Sequence, residues 1–256
     1  MTGTAVATAT ERTGAAPPGG APGRQPEDAG DPLGEGLDAA VFARLAAWFS
    51  PAFPVGAFAY SHGLEALEAA GGLRGAADAE AAVAIALADG GGWSDLVLLA
   101  AAFRAAAAGD AVAVEAIREL ALALAPSAER RGESVRQGNA FAAMVDALTD
   151  STAAGGGDHP YPVAVGLRGA RLGVPLGPLA HAFALAFVAN LVSAAVRLVP
   201  LGQTDGQRLI RDLAPLAART ARAALAATLD DVGGAAIGLD VAAMRHETQE
   251  VRLFRS

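Results

Sequence analysis

From Leu37 onward, apolar residues recur every three or four positions, the spacing that lays a continuous stripe along one face of an α-helix. The first stretch predicts a helix over 38–49 with Phe42, Leu45 and Ala46 on one face, stopped by Pro51 and Pro54. A second helix is expected to carry Tyr60, Leu64 and Leu67 and to end at Gly71-Gly72. Asp78 is the expected N-cap of a third, which ends before Gly90-Gly91-Gly92. Helices over 95–108 and 111–125 follow, separated by Gly109-Asp110, a helix-ending glycine and then an N-cap. Pro126-Ser127 opens a long helix to Leu148, along which Val135, Gly138, Ala142, Val145 and Leu148 recur at helical spacing. Past the loop at 151–160 the pattern predicts helices over 162–172 and 178–199. A further one runs from the capping-box sequence Thr204–Gln207 to Leu229, with a kink at Pro215. The β-branched runs are too short and isolated for a sheet, so the expected fold is all-α, a single-domain bundle of about eight to ten helices.

The two ends depart from this pattern in opposite ways. Residues 1–36 hold almost no large apolar side chain, cannot repay the entropy of ordering, and are expected to form a disordered N-terminal tail before a helical domain over 37–256. The last nineteen residues, GLDVAAMRHETQEVRLFRS (238–256), carry more charge and less alanine than anything before them, as a specified segment would.

Composition narrows the function. The chain is 53% hydrophobic, but roughly a quarter of it is alanine, which favours helix more than burial. The most apolar stretch, Leu179 to Val199, carries His181, Asn190, Ser193 and Arg197 and so reads as a core helix, not a membrane span. With no signal-peptide pattern at the start, a soluble cytoplasmic protein is expected. The net charge of −8 argues against nucleic acid as a partner. There is no cysteine, and all 19 basic residues are arginine, which removes thiolate nucleophiles, P-loop lysines and Schiff-base lysines together.

Candidate chemistry is sparse. Ser61 and His62 are neighbours that point apart on a helix, a poor nucleophile and base pair, and no G-x-S-x-G elbow is present. His62 and Glu65 stand at i and i+3, the relation used in di-metal bundles, but a second such pair is missing. A metal-dependent helical-bundle enzyme using His62 and Glu65 is therefore the alternative reading, while no resident cofactor or metal is expected. The apolar, proline-broken segment SPAFPVGAF (50–58) and the ending Leu253-Phe254-Arg255 have the character of docking segments, or of segments folded back on their own bundle.

These same segments resemble a known family. SPAFPVGAFAYSHGLEAL (50–67) is similar to the SPALPVGAFSYSHGLE segment typical of the urease accessory protein UreF, with Phe53 for the usual Leu and Ala59 for the usual Ser. ESVRQGNAF (133–141), NLVSAAVRLVPLGQTDGQRLI (190–210) and MRHETQEVRLFRS (244–256) resemble three further blocks of that family, in its order. The resemblance implies a non-enzymatic, all-helical homodimer that binds UreD (also called UreH), recruits the GTPase UreG, and takes part in nickel delivery to apo-urease. It points to Arg245, His246, Glu247, Arg252, Leu253, Phe254, Arg255 and Ser256 as a UreD-facing surface. Tyr60, His62 and Glu65 follow as a second surface or a passage near the nickel route. Arg197, Gln203, Thr204 and Gln207 are expected to be structural, and the Ala59 departure puts a hydroxyl-dependent contact at that position in doubt. On this reading, removing 245–256 leaves the helical fold intact and abolishes UreD binding.

Overall fold

The computed structural model describes residue 1 and residues 37–149 and 158–256; the expected N-terminal tail and most of the 151–160 loop lie outside the described residues. The chain divides into a unit Met1–Ala39 and a unit Ala40–Ser256, and the second holds the bundle. Among the described residues there are ten α-helices and no strand. They are α1 (Ala39–Trp48), α2 (Leu64–Ala69), α3 (Ala76–Ala88), α4 (Gly91–Ala107), α5 (Ala111–Ala123), α6 (Ala128–Leu148), α7 (Tyr161–Arg171), α8 (Leu176–Leu198), α9 (Gln203–Ala226) and α10 (Ile237–His246).

Several boundaries follow from single side chains. Asp110 accepts from the Ala113 amide at 2.9 Å and Ser127 from the Arg130 amide at 3.2 Å, so both expected caps form. Others differ. Asp78 lies inside α3, where it accepts from the amide and guanidinium of Arg74, and Gly75 takes the cap position. Gly91 and Gly92 open α4 instead of closing α3; a Cβ on Gly92 would lie 2.8 Å from the Leu87 backbone, so the tight junction between the two helices requires a glycine. Tyr60 is extended, between a 3-10 turn over Ala57–Ala59 and α2. The capping box expected at Thr204–Gln207 does not form, because Gly202 is the N-cap of α9; the box occurs at Thr228 and Asp231. Phe42 and Leu148, read as face positions, are half exposed or more, while Leu45, Trp48 and Val145 carry the burial.

Helix α8 runs through the core, with Leu179, Phe183, Val188, Leu191 and Val192 buried among Val83 and Leu87 of α3 and Leu209, Leu213 and Ala217 of α9. By length and composition, Leu176–Leu198 and the α3–α4 stretch Ala76–Ala107 are apolar enough to cross a membrane, but about half of each is buried inside the bundle. A chain of aromatic contacts ties α1 to α6, α7 and α8: Trp48 on Phe141 at 5.2 Å, Phe141 on Tyr161 at 5.8 Å, Tyr161 on Phe183 at 5.4 Å. Helices α4 and α7 touch through Gly166, where a Cβ would lie 2.5 Å from the Leu99 carbonyl oxygen. This framework leaves α2, the first two turns of α6, α10 and the final residues gathered at one place.

Candidate functional site

The sequence from Ala59 to Glu65 bends sharply because His62 (φ 55°) and Gly63 (φ 83°) are both left-handed. Gly63 is required there twice over, since a Cβ would meet the Ala243 amide nitrogen of α10 at 2.8 Å. The bend lets α10 pack on α2 and lets the C-terminal tail lie along residues 59–61. The Arg255 amide donates to the Ala59 carbonyl at 2.8 Å, the Ser61 amide to the Ser256 carbonyl at 2.7 Å, and the Ser61 hydroxyl to the same carbonyl at 2.6 Å. Because residue 59 contributes its backbone to this pairing, the Ala59 departure leaves it untouched.

Beneath the tail, three glutamates form a clasp, with Glu65 and Glu133 buried and Glu129 at its edge. Glu65 of α2 accepts the Leu253 amide on Oε1 and the Phe254 amide on Oε2 (2.9 Å), and Oε2 also meets His246 Nε2 at 2.9 Å. His246, which is fully buried, meets Glu129 of α6 through Nδ1 at 2.7 Å, and Glu129 in turn accepts from Arg252. Glu133, one turn further along α6, accepts from Arg130, from Gln137 at 2.9 Å and from the Ser256 hydroxyl, and its Oε1 meets His62 Nε2 at 2.9 Å. Burial alone would raise the Glu65 carboxyl, but the two tail amides and His246 outweigh it and hold it below the usual range. Glu133 is likewise opposed by burial and pulled far down by Arg130 and His62. Burial and then Arg130 lower His62 against the pull of Glu133, which favours the neutral ring with Nε2 as donor.

Two further contacts pin the tail. Arg197 of α8 lies 4.2 Å from the centre of the buried Phe254 ring and donates to the Phe58 carbonyl at 2.7 Å. Arg136 donates to the Tyr60 hydroxyl at 3.0 Å.

Next to the clasp, a largely apolar cavity of about 210 Å³, lined by Trp48, Phe53, Phe58 and Phe187, and a second of about 360 Å³, bordered by Pro126, Asp240 and Met244, share His62, Asp95, Arg130 and Ser134. Burial pushes the Asp95 carboxyl up to about 7; Arg130 opposes and Glu133 reinforces the shift.

The residues singled out in sequence thus fall into one place, since the C-terminal block folds onto the segment carrying Tyr60, His62 and Glu65. Tyr60, Glu65, His246, Phe254 and Ser256 are buried, whereas Arg245, Glu247, Arg252, Leu253 and Arg255 face outward. His62 and Glu65 turn to different partners, Glu133 and His246, and form no chelate with each other. Among the described residues no group of three or more His, Cys, Asp or Glu is placed to hold a metal ion. Arg197 is structural as expected; Gln203, Thr204 and Gln207 are exposed. Sequence reasoning misses Glu129, Arg130, Glu133, Gln137 and Asp95. A signal exists for two of them: Glu133, Gln137, Phe141 and Val145 follow at i+4, so two polar residues share a face with two core ones.

Comparison with known proteins identifies the family. The UreF family profile matches residues 73–214. The chain is 49% identical over 237 residues to a urease accessory protein UreF of Rhodopseudomonas palustris, covering 90% of this chain and 99% of the relative. It is 46% identical to that of Bradyrhizobium diazoefficiens (91% and 98% covered). A Cereibacter sphaeroides UreF is 50% identical over 217 residues (85% and 99% covered). With a family match over residues 73–214 and relatives 46–50% identical over 85–91% of this chain, the chain belongs to the urease accessory protein UreF family.

Proposed function

We propose that this protein is a non-enzymatic cytoplasmic scaffold of urease maturation, a homodimer that binds UreD (UreH) and helps recruit UreG for nickel insertion into apo-urease. The observation that carries the reading is the rim of the clasp. Phe58 (67% exposed), Val251 (84%) and Leu253 (63%) stand in solvent with Arg252 and Arg255, on backbone fixed by Arg197 at the Phe58 carbonyl, by Glu65 at the Leu253 amide and by the Ala59 carbonyl at the Arg255 amide. An aromatic and two arginines displayed on a rigid base lose little entropy on binding and make effective anchors. The double variant Phe58→Asp, Leu253→Asp alters only exposed side chains. It is expected to keep the far-UV circular dichroism and melting temperature of the parent while weakening UreD capture about 100-fold or more. Undiminished capture would place the UreD surface elsewhere.

The two cavities that meet at His62 and Asp95 favour a role in passing the nickel cargo as well. A route through a bundle needs a polar waist between less polar walls, and Asp95, whose carboxyl burial pushes up to about 7, is suited to take up and release a cation. His62→Ala is expected to leave UreD capture near normal and to slow nickel transfer to apo-urease, read as nickel bound per urease active site over time. Unchanged transfer would remove His62 from the route.

A further inference from the structure

His246 is the one side chain in the clasp held at both ends by carboxylates. Nδ1 is 2.7 Å from Glu129 Oε2 and Nε2 is 2.9 Å from Glu65 Oε2, and the ring is sealed from solvent. A neutral imidazole offers one donor and one acceptor; only a ring with a proton on each nitrogen donates to two carboxylate oxygens at once. The extra proton has two other places to sit. Glu65 is an unsuitable one, because both tail amides already donate to it and hold it ionised. Glu129 is another, and there the Arg252 guanidinium already pairs with the carboxylate.

We propose that the C-terminal tail is a proton-gated latch, closed while His246 carries a proton on both ring nitrogens and opened when the second proton leaves. The opening direction follows from burial. Loss of the proton sets a lone pair of nitrogen against a carboxylate oxygen at under 3 Å on a ring that solvent does not reach. Glu65 is confined by α2 and the tail amides, whereas the Glu129 side chain is 21% exposed and can swing to water. Arg252 is paired to Glu129, so the tail loosens first at Arg252 and then at the Leu253 and Phe254 amides.

The charged groups facing this site from each packed element are Glu65 from α2, Glu129, Arg130 and Glu133 from α6, Arg252 from the tail, and Asp240 and Glu247 around α10. His62, the other histidine nearby, is shifted downward by burial and Arg130, and its ring signals are followed separately from those of His246. The latch belongs to the chain's own tail and does not depend on the identity of any partner.

The test is a pH series on the full-length protein, from about pH 5.5 to about pH 9, the interval in which histidines titrate. Nitrogen-15 shifts of the His246 ring report its protonation, and hydrogen-exchange protection of the Leu253 and Phe254 amides, corrected for the intrinsic rate at each pH, reports the tail. Two protonated ring nitrogens at the acid end, and protection falling roughly tenfold or more over the interval in which one proton is lost, are expected. Glu129→Gln is expected to abolish the pH dependence with the tail still docked, because the introduced side-chain amide donates to Nδ1 while its oxygen still accepts from Arg252. A singly protonated ring throughout, protection that falls without any change in the ring, or unaltered pH dependence in Glu129→Gln would each overturn the latch.

Discussion

Replacing Glu133 with alanine is expected to lower the stability of the bundle by about 3–5 kcal/mol, the range seen when one partner of a buried ion pair is removed. Glu133 is 2% exposed and is the common acceptor for Arg130, His62, Gln137 and Ser256, so its loss leaves a largely buried guanidinium without this counter-charge and three further groups short of a partner. The measurement is the urea unfolding midpoint at neutral pH; a loss below about 1 kcal/mol would show that water or another acceptor replaces the carboxylate. The same residue sets an acid limit. Its carboxyl is held lower in the folded protein than in the unfolded chain, so the stability it contributes is complete above the unfolded value. That contribution is lost as pH falls below about 4 toward the folded one. The parent should therefore show a steeper loss of stability on acidification than Glu133→Gln, which has no such proton to bind.

Removal of Arg252–Ser256 is the second large effect. Read from sequence, the tail is separable from the helical fold; in the structure it is part of the core. Phe254 is 4% exposed, its amide and that of Leu253 satisfy Glu65, and the Ser256 hydroxyl satisfies Glu133. Truncation withdraws a buried aromatic and strands two buried carboxylates, while releasing five residues from order. An expected net cost of about 3 kcal/mol corresponds to a melting temperature lower by about 6–12 °C for a domain of this size. The helices themselves persist, so circular dichroism before melting changes little. A truncated protein that melts with the parent would mean that the tail contributes nothing to the resting fold. Because truncation disturbs both stability and surface, the exposed pair Phe58 and Leu253 is the cleaner probe of partner binding.

How far the structure is legible in the sequence depends on what each element needs. Helices such as α5 and α6 are readable because Asp110 and Ser127 are local signals that act within three residues. The segment 59–65 is not, since its shape depends on left-handed His62 and Gly63, and Gly63 is glycine because α10 arrives there from a point 180 residues later. The same separation hides the clasp. Glu65, Glu129 and His246 carry no mutual spacing along the chain, and charged residues on helices are ordinarily solvated. The tail and the 59–65 loop both stand out in sequence, but as two separate surfaces. Their burial against each other comes from carboxylates of α6, visible in sequence only as polar residues on a core-facing stripe.

The central claim is that this UreF-family chain acts by holding partners during urease maturation. It is tested most directly in a host carrying a complete urease gene set from which only this chain is removed, by measuring nickel content and specific activity of the purified urease with and without its restoration. Without the chain, urease protein of normal amount but nickel-poor and inactive is expected, with recovery by the parent and not by Phe58→Asp, Leu253→Asp. Fully nickel-loaded, active urease formed at the normal rate in its absence would contradict it.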